Sequence, residues 1–552
     1  MFNTGKIILN KSICLSKLSL LFFIILLSFS TGCKSVKLPE NVSEPLDYTD
    51  DDVVKNEIKN IYTMLETVPV KALWRACILG DAEVKAKCQE AVKNQLLLAV
   101  QEERYYDAAR YEKSLAVTGY VIEDEEIKAA ISNIDNLLDV PGFTVDKSLL
   151  PQTINDCINA TVTVWVDKGL KIQNGSGYAD ITLGSGFFID KRGYLITNHH
   201  VIKDLVDPKY EGFARCYIKL PSDMETKIPA KVIGYDAALD LAMLKVELEP
   251  QFVFELGSSA ELGVGDKVSA IGTPVGLEGT LTSGIISSID RKLNTIGNVF
   301  QLDAAVNSGN SGGPLIDENR KVQAVVFAGM LKYQGLNFAI PIEYLRQLLP
   351  SLYDGGEVAH CWTGAFGHTK KDKTKKNGLE VQYVMPGGSA AFSGLKEGDI
   401  IISADGKKIT SVDDFQFLLM GNQPDTIVEC KYKDSDGEIK SIPLYLEKRP
   451  GNPLEQFFYS DLVEDSFIPI FGMKLSHSST INRKSYTIVK IYSGTSADEM
   501  GLSENDPVTI QEIKFDYENE YFLALLQVQR HKKGFIDVML TMGAAFDSPY
   551  YF

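Results

Sequence analysis

A serine placed between glycines is the residue of this sequence best suited to covalent chemistry. Ser311 lies in the run Gly-Asn-Ser-Gly-Gly-Pro at 309–314. A nucleophilic serine needs a sharp turn that exposes its oxygen and brings backbone N–H groups toward a developing oxyanion. Glycine supplies such a turn because it tolerates positive φ. We expect Gly309 and Ser311 to donate their N–H groups to the oxyanion, while Asn310 shapes the turn.

A base and an acid for this serine both lie upstream of it. His200 ends the run Leu-Ile-Thr-Asn-His-His, where a strand gives way to a loop that can present an imidazole. Asp240 begins the apolar run Asp-Leu-Ala-Met-Leu, so its carboxylate can be buried against that imidazole. In this arrangement His200 is the general base, and Asp240 holds its tautomer. Asp236 is the nearby competitor, and we interpret it as a solvated turn residue because no strand follows it directly.

The order of these residues along the chain separates two serine-hydrolase architectures. The serine segment also fits the G-x-S-x-G turn of α/β-hydrolases, in which a helix follows the serine and the acid and histidine come later. Here both partners precede Ser311, and the Pro-Leu-Ile that follows it leads to a turn. The order histidine, aspartate, serine is that of the chymotrypsin-like double barrel.

The surrounding sequence has the alternation of short apolar runs and turn residues that is typical of a β-rich domain. From about Cys157, short runs such as ATVTVWV, GSGFFI, LAMLKV and VQAVVFA alternate with Gly, Asp and Asn. This rhythm predicts an antiparallel barrel or sandwich that closes with a helix over 342–349.

These segments resemble the HtrA/Deg family of exported serine proteases. The similarity covers about 155–350 and rests on GSGFFID, GYLITNHHVI, DLAMLKV, IGTPVGLEGTLTSGIISSI, LDAAVNSGNSGGPL and NFAIP. The family has its catalytic histidine directly before valine, which corresponds to His200, so His199 is expected to pack in the loop. The resemblance assigns Asp240 and Ser311 as the catalytic aspartate and nucleophile. It implies a mainly β, multidomain protein whose protease domain is a chymotrypsin-like double β-barrel.

The resemblance also implies a substrate pocket and an assembly. The pocket for the residue before the cut bond corresponds to Leu336, Asn337, Phe338 and Ala339. Because no aspartate lies there, we expect a preference for small or medium aliphatic residues. The implied function is a homotrimeric endopeptidase, without metal or cofactor, that cleaves unfolded or misfolded envelope proteins. Two alternatives stay open: a peptide-gated regulatory protease, and a chaperone or scaffold with little proteolytic activity.

Two copies of a smaller domain follow the protease segment. Ser389-Ala390 recurs as Ser496-Ala497, and Gly394-Leu395 recurs as Gly501-Leu502 at the same offset. Both copies resemble PDZ domains, which are α+β modules that bind peptide ends by strand addition. The following residues correspond to the turn that captures a peptide carboxylate in the first copy: Thr363, Gly364, Ala365 and Phe366. The second copy departs from the family because Asn505 replaces the glycine that matches Gly398, and we expect it to be structural or regulatory.

The N-terminus predicts export. Three lysines precede the apolar run 18–29, which is too short to span a membrane comfortably but suits a signal peptide. Small residues and then Cys33 follow, which resembles a bacterial lipoprotein signal with lipidation of Cys33; an ordinary secretory signal or an uncleaved anchor is the alternative. The predicted location is the periplasm of the cell envelope, with attachment to the membrane. The net charge of −17 argues against nucleic acid as a partner.

Helical periodicity dominates the sequence between the signal and the protease segment. The run 96–116 places Leu98, Ala108 and Leu115 at helical spacings. The predicted domain plan is the following: signal peptide 1–32, tether 33–52, helical domain 53–140, protease domain 150–350, first PDZ-like domain 356–449 and divergent second PDZ-like domain 461–552.

Six cysteines remain after the signal and the lipidation site are set aside. They fall in pairs within the predicted domains, and export to an oxidising compartment makes three disulfides possible. These pairs are Cys77 with Cys88, Cys157 with Cys216, and Cys361 with Cys430. Six buried free thiols are the alternative, and no cysteine or histidine spacing resembles a zinc site.

Overall fold

The structure is a computed structural model that divides into two compact units. It describes residues 37–39, 42, 48–123, 125, 127–129, 146–173, 175–273, 279–292, 297–307, 309–329, 336–373, 375–478, 484–531 and 535–552. The larger unit comprises 43–460 with 547–552, and the smaller unit comprises 461–546 with the described residues before 43. The predicted signal peptide and Cys33 lie outside the described residues. Within those ranges no helix has both the length and the apolar character needed to cross a membrane.

The N-terminal segment is helical. It contains α1 (Asp51–Met64), α2 (Pro69–Leu79), α3 (Ala82–Gln101) and α4 (Tyr105–Val117). The side chain of Asp50 caps α1 by accepting the N–H of Asp52 at 2.8 Å. Carboxylates stabilise the positive end of a helix, so this acidic run starts the helix and is not part of the tether as predicted.

A turn divides the long helical run predicted over 96–116. Because α3 ends before α4 begins, residues on the two sides of the turn do not share one face. Ala108 and Leu115 are fully buried, whereas Leu98 is 41% exposed, so the three residues do not share one buried face.

The protease segment begins with a six-stranded barrel. It contains α5 (Ile154–Asn159), β1 (Thr161–Gln173), β2 (Ser176–Asp190), β3 (Tyr194–Thr197), α6 (His199–Val206), β4 (Arg215–Leu220), β5 (Asp223–Asp236) and β6 (Leu241–Val246). The strand order is β5-β4-β1-β2-β3-β6, and pairing of β5 with β6 closes the ring. Buried side chains such as Val164, Leu195 and Leu244 fill one core cluster of this barrel.

A second closed barrel follows. It contains β7 (Lys267–Gly272), β8 (Thr280–Arg291), β9 (Val299–Leu302), β10 (Pro314–Ile316), β11 (Val322–Gly329) and β12 (Asn337–Pro341) in the order β10-β11-β12-β9-β8-β7. Helix α7 runs from Ile342 to Asp354, five residues beyond the predicted end at 349. Its Leu345, Leu348 and Leu352 share a core cluster with Phe187 of the first barrel and Ile316 of the second. The predicted mainly β, double-barrel fold is confirmed.

The first PDZ-like domain is a twisted sheet with one long helix. Before it, β13 (Gly356–Glu357) pairs in parallel with β5 and so belongs to the sheet of the first barrel. The domain contains β14 (Cys361–Trp362), β15 (Ala365–Asp372), β16 (Lys375–Val384), α8 (Ser389–Phe392), β17 (Ile400–Ala404), β18 (Lys407–Lys408), α9 (Val412–Met420), β19 (Thr426–Lys433), β20 (Ile439–Lys448) and, after it, α10 (Pro453–Ser460). The sheet order is β14-β20-β19-β17-β16-β15, so β15 is at an edge. Ser411 and Asp414 form a capping box that starts α9.

Among its described residues, the second PDZ-like domain has no helix that corresponds to α9. It contains α11 (Val463–Phe471), β21 (Met473–His477), β22 (Ser485–Ile491), α12 (Ser496–Glu499), β23 (Pro507–Asp516), β24 (Tyr521–His531) and β25 (Phe535–Ala545). A turn at 517–520 joins β23 to β24, where the first copy has a helix. Asn505 has φ +69°, close to the +94° of Gly398, because asparagine tolerates the left-handed region.

Two of the predicted domain boundaries need correction. Residues 547–552 pack with the first PDZ-like domain rather than with the second, because Phe552 exchanges backbone hydrogen bonds with Ala365. The second is the end of the tether, because the first helix already begins at Asp51. The helical segment shares a core cluster with the first PDZ-like domain, since that cluster includes Ile427 and Tyr445.

Trp74 is the centre of that shared core. Its fully buried ring stacks on Tyr445 with a centroid distance of 5.1 Å. Its Nε1–H lies 3.1 Å from Oγ of Ser393 and 3.2 Å from the carbonyl of Pro443. A second hydrogen bond joins the sheet to the helices, because the N–H of Ile427 donates to Oγ of Ser114 on α4 at 3.0 Å. Helices and sheet therefore stabilise each other.

The predicted disulfides are not formed, since all six cysteines are free thiols. Cys157 and Cys216 belong to different core clusters, and the Sγ of Cys361 donates to the carbonyl of Asn422 at 3.2 Å. Burial raises the pKa of the Cys88, Cys216 and Cys430 thiols to about 12, which suppresses the reactive thiolate. The alternative reading of buried free thiols is the one the structure supports.

We expect Trp74→Ala to destabilise the first PDZ-like domain together with the helices. Deleting a buried tryptophan ring costs about 3–5 kcal/mol, and its loss should speed amide exchange in β19 and β20. The matched control is Leu98→Ala on α3, which should change stability by less than about 0.5 kcal/mol because the side chain is exposed. Hydrogen exchange and thermal unfolding measure both. Equal effects of the two substitutions would contradict the shared core.

Candidate active site

His200 and Asp240 meet at the edge of the first barrel. His200 lies in the first turn of α6, directly after β3, and Asp240 precedes β6. Nδ1 of His200 is 2.7 Å from Oδ2 of Asp240, and the backbone N–H of His200 donates to Oδ1 at 2.7 Å. Because a carboxylate only accepts, the proton of a neutral imidazole lies on Nδ1 and leaves Nε2 as a base. The imidazole is 46% exposed and open to a substrate.

Asn198 is a site residue that the sequence analysis missed. It is fully buried, and its Nδ2 donates to the carbonyl of Asp240 at 2.7 Å. Asp240 itself has φ +55°, a strained value for a residue other than glycine. Asn198 therefore helps to hold the aspartate in the turn that directs both carboxylate oxygens at His200. Its place directly before the two histidines was the available signal.

Ser311 lies on the second barrel in a turn of left-handed glycines. Gly309 has φ +105° and Gly312 has φ +85°. A Cβ on Gly312 would lie 2.2 Å from the carbonyl oxygen of Ser185, so glycine is required there. The Oγ of Ser311 donates to the carbonyl of Phe327 at 3.2 Å. Within the part of the chain that the structure describes, no hydrogen bond joins this hydroxyl to the histidine.

The backbone N–H groups around Ser311 differ in whether they already donate a hydrogen bond. The N–H of Asn310 donates to the carbonyl of Asn307 at 3.0 Å, so it is not free to bind an oxyanion. Among the described residues, the N–H groups of Gly309 and Ser311 have no acceptor. The N–H groups of Gly309 and Ser311 therefore stay the predicted donors to an oxyanion.

Ser185 ties the serine turn to the first barrel, and the sequence analysis gave it no role. Its N–H donates to the carbonyl of Ser311 at 2.7 Å, and its Oγ donates to the carbonyl of Gly309 at 2.6 Å. The same Oγ accepts the N–H of Thr273 at 3.0 Å. A fully buried serine between two glycines on a strand was the signal that could have identified it.

Two neighbouring residues have other roles. Asp236 is fully buried, so the prediction that it is solvated was wrong. Its Oδ1 accepts the N–H groups of Ala238 and Leu239, and its Oδ2 lies 2.9 Å from Nε2 of His360. The ring of His199 stacks on that of Tyr235 with a centroid distance of 5.2 Å, and burial lowers the pKa of the His199 imidazole. Neither residue contacts the serine turn.

The predicted pocket residues do not share one surface. Phe338 lies on β12 with its ring 6.5 Å from that of Phe327, the residue whose carbonyl accepts from Ser311. Asn337 donates to the carbonyl of Ala304 at 2.8 Å. Ala339 is fully buried in the core cluster of the second barrel, so its expected place in a pocket lining was wrong. Leu336 precedes the strand and is half-buried.

The PDZ-like turn is in the first PDZ-like domain, away from the triad in sequence. Gly364 has φ +77°, and its carbonyl accepts the N–H of Met385 at 2.7 Å. The carbonyl of Thr363 accepts the N–H of Ala390 at 2.9 Å. The turn leads into β15, where Ala365 and Phe366 face the segment 550–552.

The side chains described here give no indication of a metal centre. Among the described residues, no group of three or more His, Cys, Asp or Glu side chains is placed to bind a metal ion.

Models of known families match four segments of the chain. A trypsin-like peptidase domain matches 184–325, and a PDZ domain matches 380–431. A TP0546 family PDZ domain matches 454–546, and a domain of unknown function (DUF8517) matches 52–138.

Curated relatives are similar over the protease and the adjoining PDZ region. A "probable periplasmic serine endoprotease DegP-like" of Bartonella henselae is 36% identical over half of this chain and 56% of its own length. The chain thus spans just over half the length of that relative. Proteins with the same name from Ectopseudomonas mendocina and Pseudomonas savastanoi pv. phaseolicola are 32% and 31% identical, over 60% and 59% of this chain and 67% and 70% of their own lengths.

Among solved structures, one described as "HtrA-type protease AlgW with tripeptide" is 27% identical, with a TM-score of 0.45 over 53% of this chain and 95% of that one. The extent and identity of the two longer matches to curated proteins decide the family. The chain belongs to the DegP-like serine endoproteases of the HtrA/Deg family.

Proposed function

We propose that this chain is a serine endopeptidase that cleaves unfolded or misfolded proteins in the bacterial periplasm. Its catalytic residues are His200, Asp240 and Ser311. The observation that carries the proposal is the contact of both Asp240 carboxylate oxygens with His200. The names of the curated relatives support the same activity and compartment.

The reaction follows from the residue types. Ser311 rotates from the carbonyl of Phe327 toward Nε2 of His200, which takes its proton as Oγ attacks the scissile carbonyl. The imidazolium then gives that proton to the leaving amine, and the acyl-enzyme forms. Water attacks the acyl-enzyme by the same route and regenerates the serine. Asp240 stays ionised and stabilises the imidazolium throughout.

The tetrahedral intermediate needs donors for its oxyanion. Gly309 and Ser311 supply N–H groups that donate to no competing acceptor among the described residues. Each such donor contributes about 10²–10³-fold in rate. Leu336, Asn337 and Phe338 line the approach to this turn, and the absence of a carboxylate among them favours aliphatic substrate residues.

The remaining properties extend the proposal to the whole chain. The first PDZ-like domain binds peptide ends through Thr363, Gly364, Ala365 and Phe366, and nucleic acid is not a partner. The protease domains assemble as a homotrimer. Lipid on Cys33 attaches the protein to the membrane.

We expect Ser311→Ala to abolish cleavage of an unfolded protein substrate. Removing the nucleophile of a triad lowers kcat by roughly 10⁶-fold, while peptide binding by the first PDZ-like domain should persist. The matched control is Ser283→Ala, an exposed hydroxyl of the second barrel that bonds only Ser269. Proteolysis and covalent labelling by a fluorophosphonate measure both. Undiminished cleavage by Ser311→Ala, or no labelling of the unmodified protein under any condition, would contradict the proposal.

A pair of aspartate variants tests the role of the acid. Asp240→Asn should lower kcat by about 10⁴-fold, because the amide favours the wrong imidazole tautomer. Asp236→Asn should leave kcat within a few-fold while lowering the melting temperature, because it disturbs a buried contact with His360. Steady-state kinetics on a peptide substrate and thermal unfolding distinguish the two effects. The opposite ranking in kcat would assign the role to Asp236.

Membrane attachment is tested by Cys33→Ala. Loss of the acyl chains should release the protein to the soluble fraction at both low and high salt, because the acidic chain has little electrostatic attraction to anionic lipids. Fractionation followed by immunoblotting measures the release. A variant that stays fully membrane-bound under both conditions would refute lipid anchoring.

A further inference from the structure

The free edge of the first PDZ-like sheet carries an extra strand from the distal end of the sequence. The N–H of Phe552 donates to the carbonyl of Ala365 at 2.9 Å, and the N–H of Ala365 donates back at 2.8 Å. Gly367 donates to the carbonyl of Tyr550 at 3.2 Å, and Tyr551 bridges antiparallel to Phe366. The segment 550–552 therefore extends the sheet at β15 by strand addition.

The side chain of Phe552 fills a pocket between the sheet and α9. It is fully buried within the core cluster of this domain. Its ring meets that of Phe415 on α9 edge-on, with centroids 5.3 Å apart. Leu379 of β16 and Leu418 of α9 belong to the same cluster. An aromatic side chain at this position is thus part of the packed interior.

Tyr551 is held from the opposite side. Its ring is almost fully buried and packs against Phe457 of α10 with a centroid distance of 5.0 Å. Its carbonyl accepts from Nη1 of Arg449 at 3.1 Å and from Nε2 of Gln416. The same guanidinium forms an ion pair with Asp547, which fixes the start of the segment.

Tyr550 links the segment to the protease domain. Its ring stacks on His368 of β15 at 4.1 Å, and Nζ of Lys292 lies 4.6 Å from the ring centroid. Lys292 follows β8 of the second barrel, and it also pairs with Asp413 of α9 at 2.7 Å. The segment therefore contacts the place where the protease barrel meets the first PDZ-like domain.

We propose that the peptide groove of the first PDZ-like domain is occupied by the chain's own segment 547–552. An incoming ligand is an extended peptide with aromatic residues at its end, and it binds only by displacing this segment. The proposal rests on the peptide-binding part of the proposed function and is independent of proteolysis. A tethered competitor acts at an effective concentration on the order of millimolar, so the groove discriminates against weak ligands.

Fluorescence anisotropy with a labelled free hexapeptide of the sequence 547–552 tests the proposal on the full-length protein. The unmodified protein should bind this probe weakly, and Phe552→Ala should bind it at least about tenfold more tightly because its own segment no longer fills the pocket. The matched control is Phe213→Ala, which removes a 95% exposed ring and should bind like the unmodified protein.

A second variant guards against loss of folding. Asp547→Asn removes the negative charge that pairs with Arg449 at the start of the segment and should also tighten probe binding, with an unchanged circular dichroism melt. Equal affinities of the unmodified protein, Phe552→Ala and Asp547→Asn would overturn self-occupancy while leaving peptide binding intact. Absence of probe binding to every variant would overturn both self-occupancy and the peptide-binding role of the groove, while fluorophosphonate labelling of Ser311 would report on proteolysis separately.

Discussion

The geometry of the active site depends on hydrogen bonds that cross from one barrel to the other. His200 and Asp240 belong to the first barrel, whereas Ser311 belongs to the second. Ser185 joins them, because its N–H and hydroxyl donate to the carbonyls of Ser311 and Gly309. These bonds are fully buried and therefore costly to break. They hold the serine turn in register with the histidine, and the glycines of that turn leave room for the close approach.

Packing of distant segments against the first PDZ-like sheet organises the rest of the larger unit. The N-terminal helices pack against the first PDZ-like domain at Ile427 and Tyr445, strands β19 and β20, and add buried apolar area to a small sheet. The free edge at β15 pairs with segment 550–552, which satisfies backbone groups that an open edge would expose. The N-terminal helices and segment 550–552, both distant in the sequence, thus each cover part of this sheet.

The sequence predicted the fold and the contact between His200 and Asp240 because each depends on local signals. The turn around Ser311 and the strand ends at His200 and Asp240 can each be recognised from a few neighbouring residues. The regular alternation of short apolar runs and turn residues predicts the barrels. What it missed depends on distant partners. Asp236 is buried because His360 approaches it, and Ser185 matters because the serine turn lies against it. The expected pairing of Cys157 with Cys216 failed for the same reason, since the two thiols enter different core clusters although they belong to one predicted domain.

The second PDZ-like domain behaves as an insertion between two anchored ends. The chain leaves the larger unit after α10, whose Phe457 packs on Tyr551, and it returns to that unit at Asp547. Domains are readily accommodated where the entry and exit of the chain lie close together. The inserted domain has a turn at 517–520 in place of the helix that forms one wall of the groove in the first copy. Both ends of the insertion are therefore fixed by contacts within the larger unit, through Phe457 before it and Asp547 after it.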